Sequence, residues 1–320
     1  MKNRILTFLT GVLLLAACDN TLDINAPYRE TPVVYAIIDM GQDSQIFRIQ
    51  KTYQNDVNKT TDEVAQIADS LYMKNITVKV VSGNNPNLFR EFKRLAPRKE
   101  AGFFSNKDSS YWGQRTTGFF TPGSSYTLRI KNNETDKEYI ATTTATGMAN
   151  IRFGSPINFI ESPNGTFSYQ VEQIGDNVFI FDLIVRLNYW EINKLTNDSS
   201  LRNIDYYLRR DALYTSVLNG KVTIGVSKQG LLGHFTSNLP VNADVNRRFS
   251  SIESVVIGSN KDYSDMIQTN KPSGSIIPKV SDYSNISNGI GVFASRTITK
   301  LKQSVTDQSI DLLNTQVLNR

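Results

Sequence analysis

The chain reads as a mainly β protein, with an N-terminal immunoglobulin-like β-sandwich followed by a second mostly-β domain carrying a few short helices. Three observations predict this. Aromatic residues make up 10% of the 320, with 14 Tyr and 16 Phe, a bias suited to pleated, half-buried surfaces. Runs alternating apolar and polar residues recur along the chain between clusters of Asn, Asp, Gly, Pro and Ser. Long Ala/Leu/Glu/Lys runs, the composition of extended helices, are missing.

The elements follow in order. Val33 to Ile38 is apolar and β-branched, Asp39 to Ser44 is turn-forming, and Gln45 to Tyr53 alternates, which predicts a hairpin. Asn55 to Met73 stays ambiguous: Val64, Ile67, Ala68 and Leu71 have helical spacing, while the flanks read as loop. Ile76 to Val81 and Leu88 to Phe92, separated by the turn cluster Ser82 to Asn87, predict a second hairpin. Pro122-Gly123 caps the entry to Tyr126 to Ile130, and the polar turn Asn132 to Lys137 leads to Glu138 to Thr144. Short strands at this spacing over residues 31–146 are what a sandwich requires.

Gly147 to Asn150 reads as a boundary, with the second domain over 151–296. Ile157 to Ile160, Phe167 to Val171 and Val178 to Ile192 are strand-like. In the latter Leu183, Val185, Leu187 and Tyr189 share one face and Arg186, Asn188 and Trp190 the other, so one face is core and the other partly wet. Leu201 to Leu208 is either its hairpin partner, after the turn Asn197 to Ser200, or a helix. Lys228 to Leu239 has helical spacing and stops at Pro240. Ile252 to Ile257 is a strand, and Asp262 to Thr269 a short helix with Tyr263, Met266 and Ile267 inward. Asn285 to Arg296 places Gly289 and Gly291 in an apolar strand-like run, where glycine marks a bulge or a close backbone approach. The tail 297–320 has Leu301, Val305, Leu312 and Val317 at loose helical spacing.

The N-terminal stretch carries the one clear chemical signal. Lys2 and Arg4 are followed by an apolar run from Ile5 to Leu15 and then Leu15-Ala16-Ala17-Cys18, which holds the single cysteine. The run is about half the ~20 residues that a membrane-spanning helix needs, so cleavage is expected after Ala17. Small residues fit a peptidase's narrow subsites, and the Cys18 thiol is the side chain that takes a thioether-linked diacylglycerol. Residues 1–17 are the expected lipoprotein signal peptide and 18–30 a tether containing Pro27. Cleavage would lower the net charge from +5 to +3, which argues against a nucleic-acid partner. With Cys18 acylated no thiol remains for disulfides, and the fold must hold by packing alone.

These features together resemble a known family. The Leu15–Cys18 lipobox, the opening strand Thr31-Pro32-Val33-Val34-Tyr35-Ala36, the hairpin from Phe120 to Thr144 and the element Asn285-Ile286-Ser287-Asn288-Gly289-Ile290-Gly291-Val292-Phe293 resemble uncharacterised lipoproteins of Bacteroidetes-type bacteria. Such proteins are often encoded near TonB-dependent outer-membrane receptors. The resemblance implies a lipid-anchored outer-membrane location, on the periplasmic face or the cell surface, and a receptor or its cargo as partner. The motifs are structural, so it implies no catalytic residue. Asp69-Ser70-Leu71 also resembles the O-glycosylation tripeptide of those organisms, which would make Ser70 the acceptor.

The remaining chemistry is sparse. His234 is the single histidine and no Gly-x-Ser-x-Gly elbow occurs, so a Ser-His-Asp catalyst is not expected. A zinc site lacks ligands, no calcium loop or phosphate-binding glycine loop is present, and no cofactor is assigned. The basic run Arg90, Lys93, Arg94, Arg98 and Lys99 is diluted by Glu91 and Glu100 and reads as a solvated rim. The favoured reading is a non-enzymatic binding module. A surface glycan binder with Trp112 or Trp190 as stacking platform is the alternative, with Trp112 also suited to sandwich core. A hydrolase using paired carboxylates, such as Glu172, Asp182 and Glu191, ranks below both.

Overall fold

A computed structural model describes residues 29–53, 59–96, 105, 110–174, 177–213, 221–270 and 283–319. The fold is mainly β. Eleven strands form one continuous sheet: β1 (Pro32–Asp39), β2 (Ser44–Lys51), β3 (Ile76–Ser82), β4 (Asn85–Arg94), β5 (Tyr111–Arg115), β6 (Ser125–Asn132), β7 (Glu138–Thr144), β10 (Ile180–Asn193), β11 (Ser199–Leu213), β13 (Val245–Ser259) and β14 (Ile290–Gln303). Their order is β11-β10-β13-β14-β1-β2-β5-β4-β3-β6-β7. A smaller sheet, β12-β9-β8, is built from β8 (Met148–Phe153), β9 (Thr166–Ile174) and β12 (Lys221–Ser227). Short helices α1 (Thr61–Ala65), α2 (Ala68–Leu71), α3 (Lys228–Ser237), α4 (Lys261–Asn270) and α5 (Asp307–Leu312) complete it, and α5 runs on into a π-helical turn, Leu313–Leu318. No helix among the described residues is long and apolar enough to cross a membrane.

The first half folds back on itself as a sandwich because β4 pairs with β3 along most of its length and with β5 only through Lys93 and Arg94. Strands on both sides turn alternate residues inward: β3 buries Ile76, Val78 and Val80, while β1 buries Val34, Ala36 and Ile38. These meet Phe47, Phe92, Tyr126, Leu128 and Ile130 in one core. Phe47 and Phe92 stack at 4.3 Å, and burying each ring stabilises the fold by about 2–3 kcal/mol. The second core lies between the large sheet and the β8-β9-β12 sheet, where Leu183, Val185, Leu187 and Val256 meet Tyr169, Val171, Leu231, Phe235 and Leu313.

Several local expectations resolve here. Ile157 to Ile160 is not a strand: Ile157 makes a single parallel bridge to Val305 and the chain then bends. The ambiguous 55–73 stretch contains α1, with a Thr60/Glu63 capping box, and α2. Leu201 to Leu208 belongs to β11, the antiparallel partner of β10, and not to a helix. In α4 the buried residue is Ser264, while Tyr263, Met266 and Ile267 are half-buried. The tail is not helical from residue 297: β14 continues to Gln303, because Thr297, Thr299 and Leu301 pair with Gly258, Val256 and Ser254 of β13.

β14 also crosses the expected boundary between the halves. Its first part, Ile290 to Arg296, pairs in parallel with β1 and supplies Phe293 to the first core, while its second part pairs with β13. The glycine expectation takes a concrete form in that ladder. Gly291 has φ +115°, a conformation L side chains rarely adopt, and a Cβ there would lie 1.9 Å from the Val34 carbonyl oxygen.

Candidate functional site

The N-terminal lipid signal, including Ala17 and Cys18, lies outside the described residues. The chain enters them at Arg29, at one end of the first sandwich. There Glu30 Oε2 lies 3.2 Å from Lys51 Nζ, and Glu30 Oε1 accepts from Asn132 Nδ2 at 3.0 Å. A cavity of about 200 Å³ beside it is lined by Arg29, Lys137, Tyr139 and Asn288. This clamp ties residue 30 to the ends of β2 and β6.

The two tryptophans have opposite fates. Trp112, on β5, is 7% exposed within the first core, so its ring has no free face for a ligand and the platform expectation is corrected for it. Alternation alone cannot show which face of a short strand is covered. Trp190 lies on the outer face of β10, away from the second core, and is half-buried. Register places exposed Leu201 of β11 on one side of it and exposed Arg248 of β13 on the other. The next rows along this face hold Asn203, Asn188 and Ser251, then Asp205, Arg186 and Glu253.

Charges on this face are ordered. Arg186 donates to Asp205 from Nε at 2.6 Å and from Nη2 at 2.8 Å, and this pair pushes the guanidinium further up from its already high range. Asn188 Nδ2 donates to Ser251 Oγ at 3.0 Å. Six residues before Trp190, Ile184 pairs with Tyr207, which is exposed and has the Arg210 guanidinium 3.7 Å from its ring centre. Trp190 and Tyr207 therefore bracket roughly 20 Å of sheet surface at ~3.3 Å per residue. Leu201, Tyr207 and Arg248 do not stand out in the sequence as site residues. Their signal is the odd-numbered alternation of β11, legible only once β11 is known to be a strand beside β10.

Other candidates are occupied structurally. His234 sits near the end of α3 with Nε2 3.0 Å from the Asp205 carbonyl and Nδ1 3.3 Å from Asn238 Nδ2, so both ring nitrogens have a partner. Glu172 lies 2.8 Å from Lys221 and 3.2 Å from Arg152; Glu191 lies 3.0 Å from Arg247 and 3.7 Å from Arg202. Asp182 Oδ1 accepts the Asp211 N–H at 2.7 Å. Ser70 lies half-buried in α2. Among the described residues no group of three or more His, Cys, Asp or Glu is placed to hold a metal ion.

The end of the second half farthest from the Glu30 clamp has its own relief. Leu195, in the β10–β11 turn, is 89% exposed and Val241, before β13, is 94% exposed. A cavity of about 400 Å³ lies beside Val241, lined also by Lys194, Pro240, Asn242, Asn246, Arg247 and Asn319. Arg247 is held by Glu191 and by the Pro240 carbonyl at 2.7 Å, so its charge braces the cavity wall. Register along β14 and then β13 separates this tip from the Glu30 clamp by about 65 Å, measured along the strands.

No model of a known protein family matches the chain, and no curated protein matches it. Among solved structures, one described as "Cytokine receptor complex - Crystal form 1A" is similar at 10% identity, covering 86% of this chain and 99% of that one, with a TM-score of 0.22. A likeness at that level carries no argument about fold or function.

Proposed function

We propose that the protein is a non-enzymatic binding module, held at the outer membrane by lipid on Cys18, that engages a partner through the outer face and tip of its second half. The observation that carries this reading is the separation of roles: the tether leaves at the Glu30 clamp, while Trp190, Leu201, Tyr207 and Arg248 gather on exposed sheet at the other end. Tryptophan, tyrosine and arginine are the residues that dominate binding energy at interfaces. A TonB-dependent transporter or its cargo is the partner the family resemblance implies. Labelling with a palmitate analogue, lost in Cys18→Ser, tests the anchor. Co-purification of a large outer-membrane barrel in mild detergent tests the partner, and repeated recovery of the lipoprotein alone would sink that part.

A second reading, a glycan ligand, is favoured by one observation: the half-buried Trp190 ring is flanked along the sheet by the exposed amide of Asn203. Aromatic stacking next to hydroxyl-binding amides suits a sugar ring. Titration of soluble polysaccharides monitored by tryptophan fluorescence tests it, and Trp190→Phe must abolish any response.

A further inference from the structure

The large sheet ends in two edge strands, and an unpaired edge is a template for another strand. On β7 the edge is met by Ser287, whose N–H donates to the Ile140 carbonyl at 2.8 Å and whose Oγ accepts the Ile140 N–H at 2.8 Å. Asn260 Nδ2 takes the Thr144 carbonyl at 2.9 Å. The β11 edge is closed only in part.

The hairpin bond from the Asn193 N–H to the Asp198 carbonyl, 2.9 Å, fixes which residues of β11 face outward. Even-numbered residues turn their main-chain groups to β10; Ser199, Leu201, Asn203 and Asp205 turn theirs away. His234 occupies the Asp205 carbonyl, and beyond Tyr207 a bulge with Arg209 and Arg210 blunts the edge. Ser199 to Asn203 remains. All five residues are exposed, and among the described residues the outward main-chain groups of Ser199, Leu201 and Asn203 have no partner.

We propose that this stretch pairs, antiparallel and about a two-fold axis, with the same stretch of a second copy of the chain, Leu201 opposite Leu201. In that register Ser199 faces Asn203 and Ser200 faces Arg202 on each side, and three residue pairs exchange main-chain hydrogen bonds. Leu201, 53% exposed, covers its counterpart. Arg202, whose side chain is 59% exposed and reaches its own Glu191 at 3.7 Å, gains Glu191 of the second copy across the small Ser200 of that copy. Moving the axis to Arg202 would set like charges opposite each other. Moving it to Ser200 would push Asn203 onto the turn at Asn197, where φ is +58° and no strand continues. Length and charge thus select one register. Five residues a side bury far less than the ~800 Å² per partner of a durable interface, so pairing depends on concentration.

Disulfide trapping tests it. The full chain in mild detergent, in a Cys18→Ser background so that an introduced thiol is the only one, carries Leu201→Cys, Asn203→Cys or Leu195→Cys. Paired 201 positions would sit about 5.5 Å apart, within disulfide reach, while the two 203 positions would be roughly 14 Å apart. Leu201→Cys is expected to form dimer at least about tenfold faster than either control under mild oxidation. Equal rates at Leu195, the more exposed site, or no dimer at Leu201, would overturn the proposal. Sedimentation of the unsubstituted chain supplies a second measurement: its mass should rise with concentration, and Asn203→Pro, which removes an outward N–H, should hold it monomeric. A chain monomeric throughout, or an Asn203→Pro chain that still dimerises, would equally overturn it.

Discussion

Gly291 approaches Val34 so closely that their parallel ladder leaves no room for a side chain, since a Cβ on Gly291 would meet the Val34 carbonyl oxygen at 1.9 Å. The contact lies where the last strand closes the first sandwich. Gly291→Ala must therefore either part β14 from β1 or strain a backbone at φ +115°. We expect a loss of at least about 3 kcal/mol, read by chemical denaturation, whereas Gly225→Ala, with open space around it, should change stability by less than about 1 kcal/mol. Equal effects would remove the close approach as the cause.

The junction between the halves is a buried polar knot. Asn260, 3% exposed, donates from Nδ2 to Thr143 Oγ1 at 2.7 Å and to the Thr144 carbonyl, and its Oδ1 accepts the Tyr263 N–H at 3.2 Å. Asp262 bridges Thr143 and Tyr283, and burial with that nearby carboxylate pushes the Tyr283 phenol well above its ordinary value. Asn260→Ala strands several of these groups and should cost about 1–3 kcal/mol. Loss of cooperativity between the halves on denaturation would accompany it; an unchanged single transition at unchanged midpoint would refute the role.

Acid should loosen the β9–β12 pair. Hydrogen bonding from Lys221, with the positive charge of Arg152 adding to it, holds the Glu172 carboxyl below the usual glutamate range. The unfolded chain therefore binds the proton first as pH falls. The stability this carboxylate contributes is present above about pH 4.3 and is lost as pH drops through the lower folded value. Glu172→Gln should flatten the decline in stability between about pH 5 and pH 3. A mutant curve parallel to the parent's would exclude Glu172 as a source of that dependence.

The two tryptophans should separate stability from binding. Trp112→Ala removes a core ring and is expected to cost about 3–5 kcal/mol. Trp190→Ala, on the outer face, should cost no more than about 2 kcal/mol while abolishing partner or glycan retention. Retention by Trp190→Ala at parental strength would move the binding site elsewhere.

Much of the strand content was legible because alternation is local. The face assignment along β10, with Leu183, Val185, Leu187 and Tyr189 inward, follows from the period of two, and all four are buried in the second core. The ambiguity over Leu201 to Leu208 had a physical source: an edge strand buries little, so its apolar pattern is weak. The start of the tail is ambiguous for the same reason, since half-exposed Leu301 and Val305 satisfy either period; the strand runs to Gln303 and helix begins only at Asp307. Of the proposed surface one residue, Trp190, is visible in the sequence, and its neighbours are not.

The sequence alone determined the β class, the positions of most strands, the need for glycine near residue 291 and the expectation of a lipid on Cys18, because these depend on residues close together in the chain. Only the tertiary structure decided which tryptophan is core and which is surface, that β14 joins both halves, and that Leu201, Trp190 and Arg248 form one row. Those outcomes rest on pairing between segments far apart in sequence. A strand's pattern states that it has two faces, but only its partners determine which face meets water.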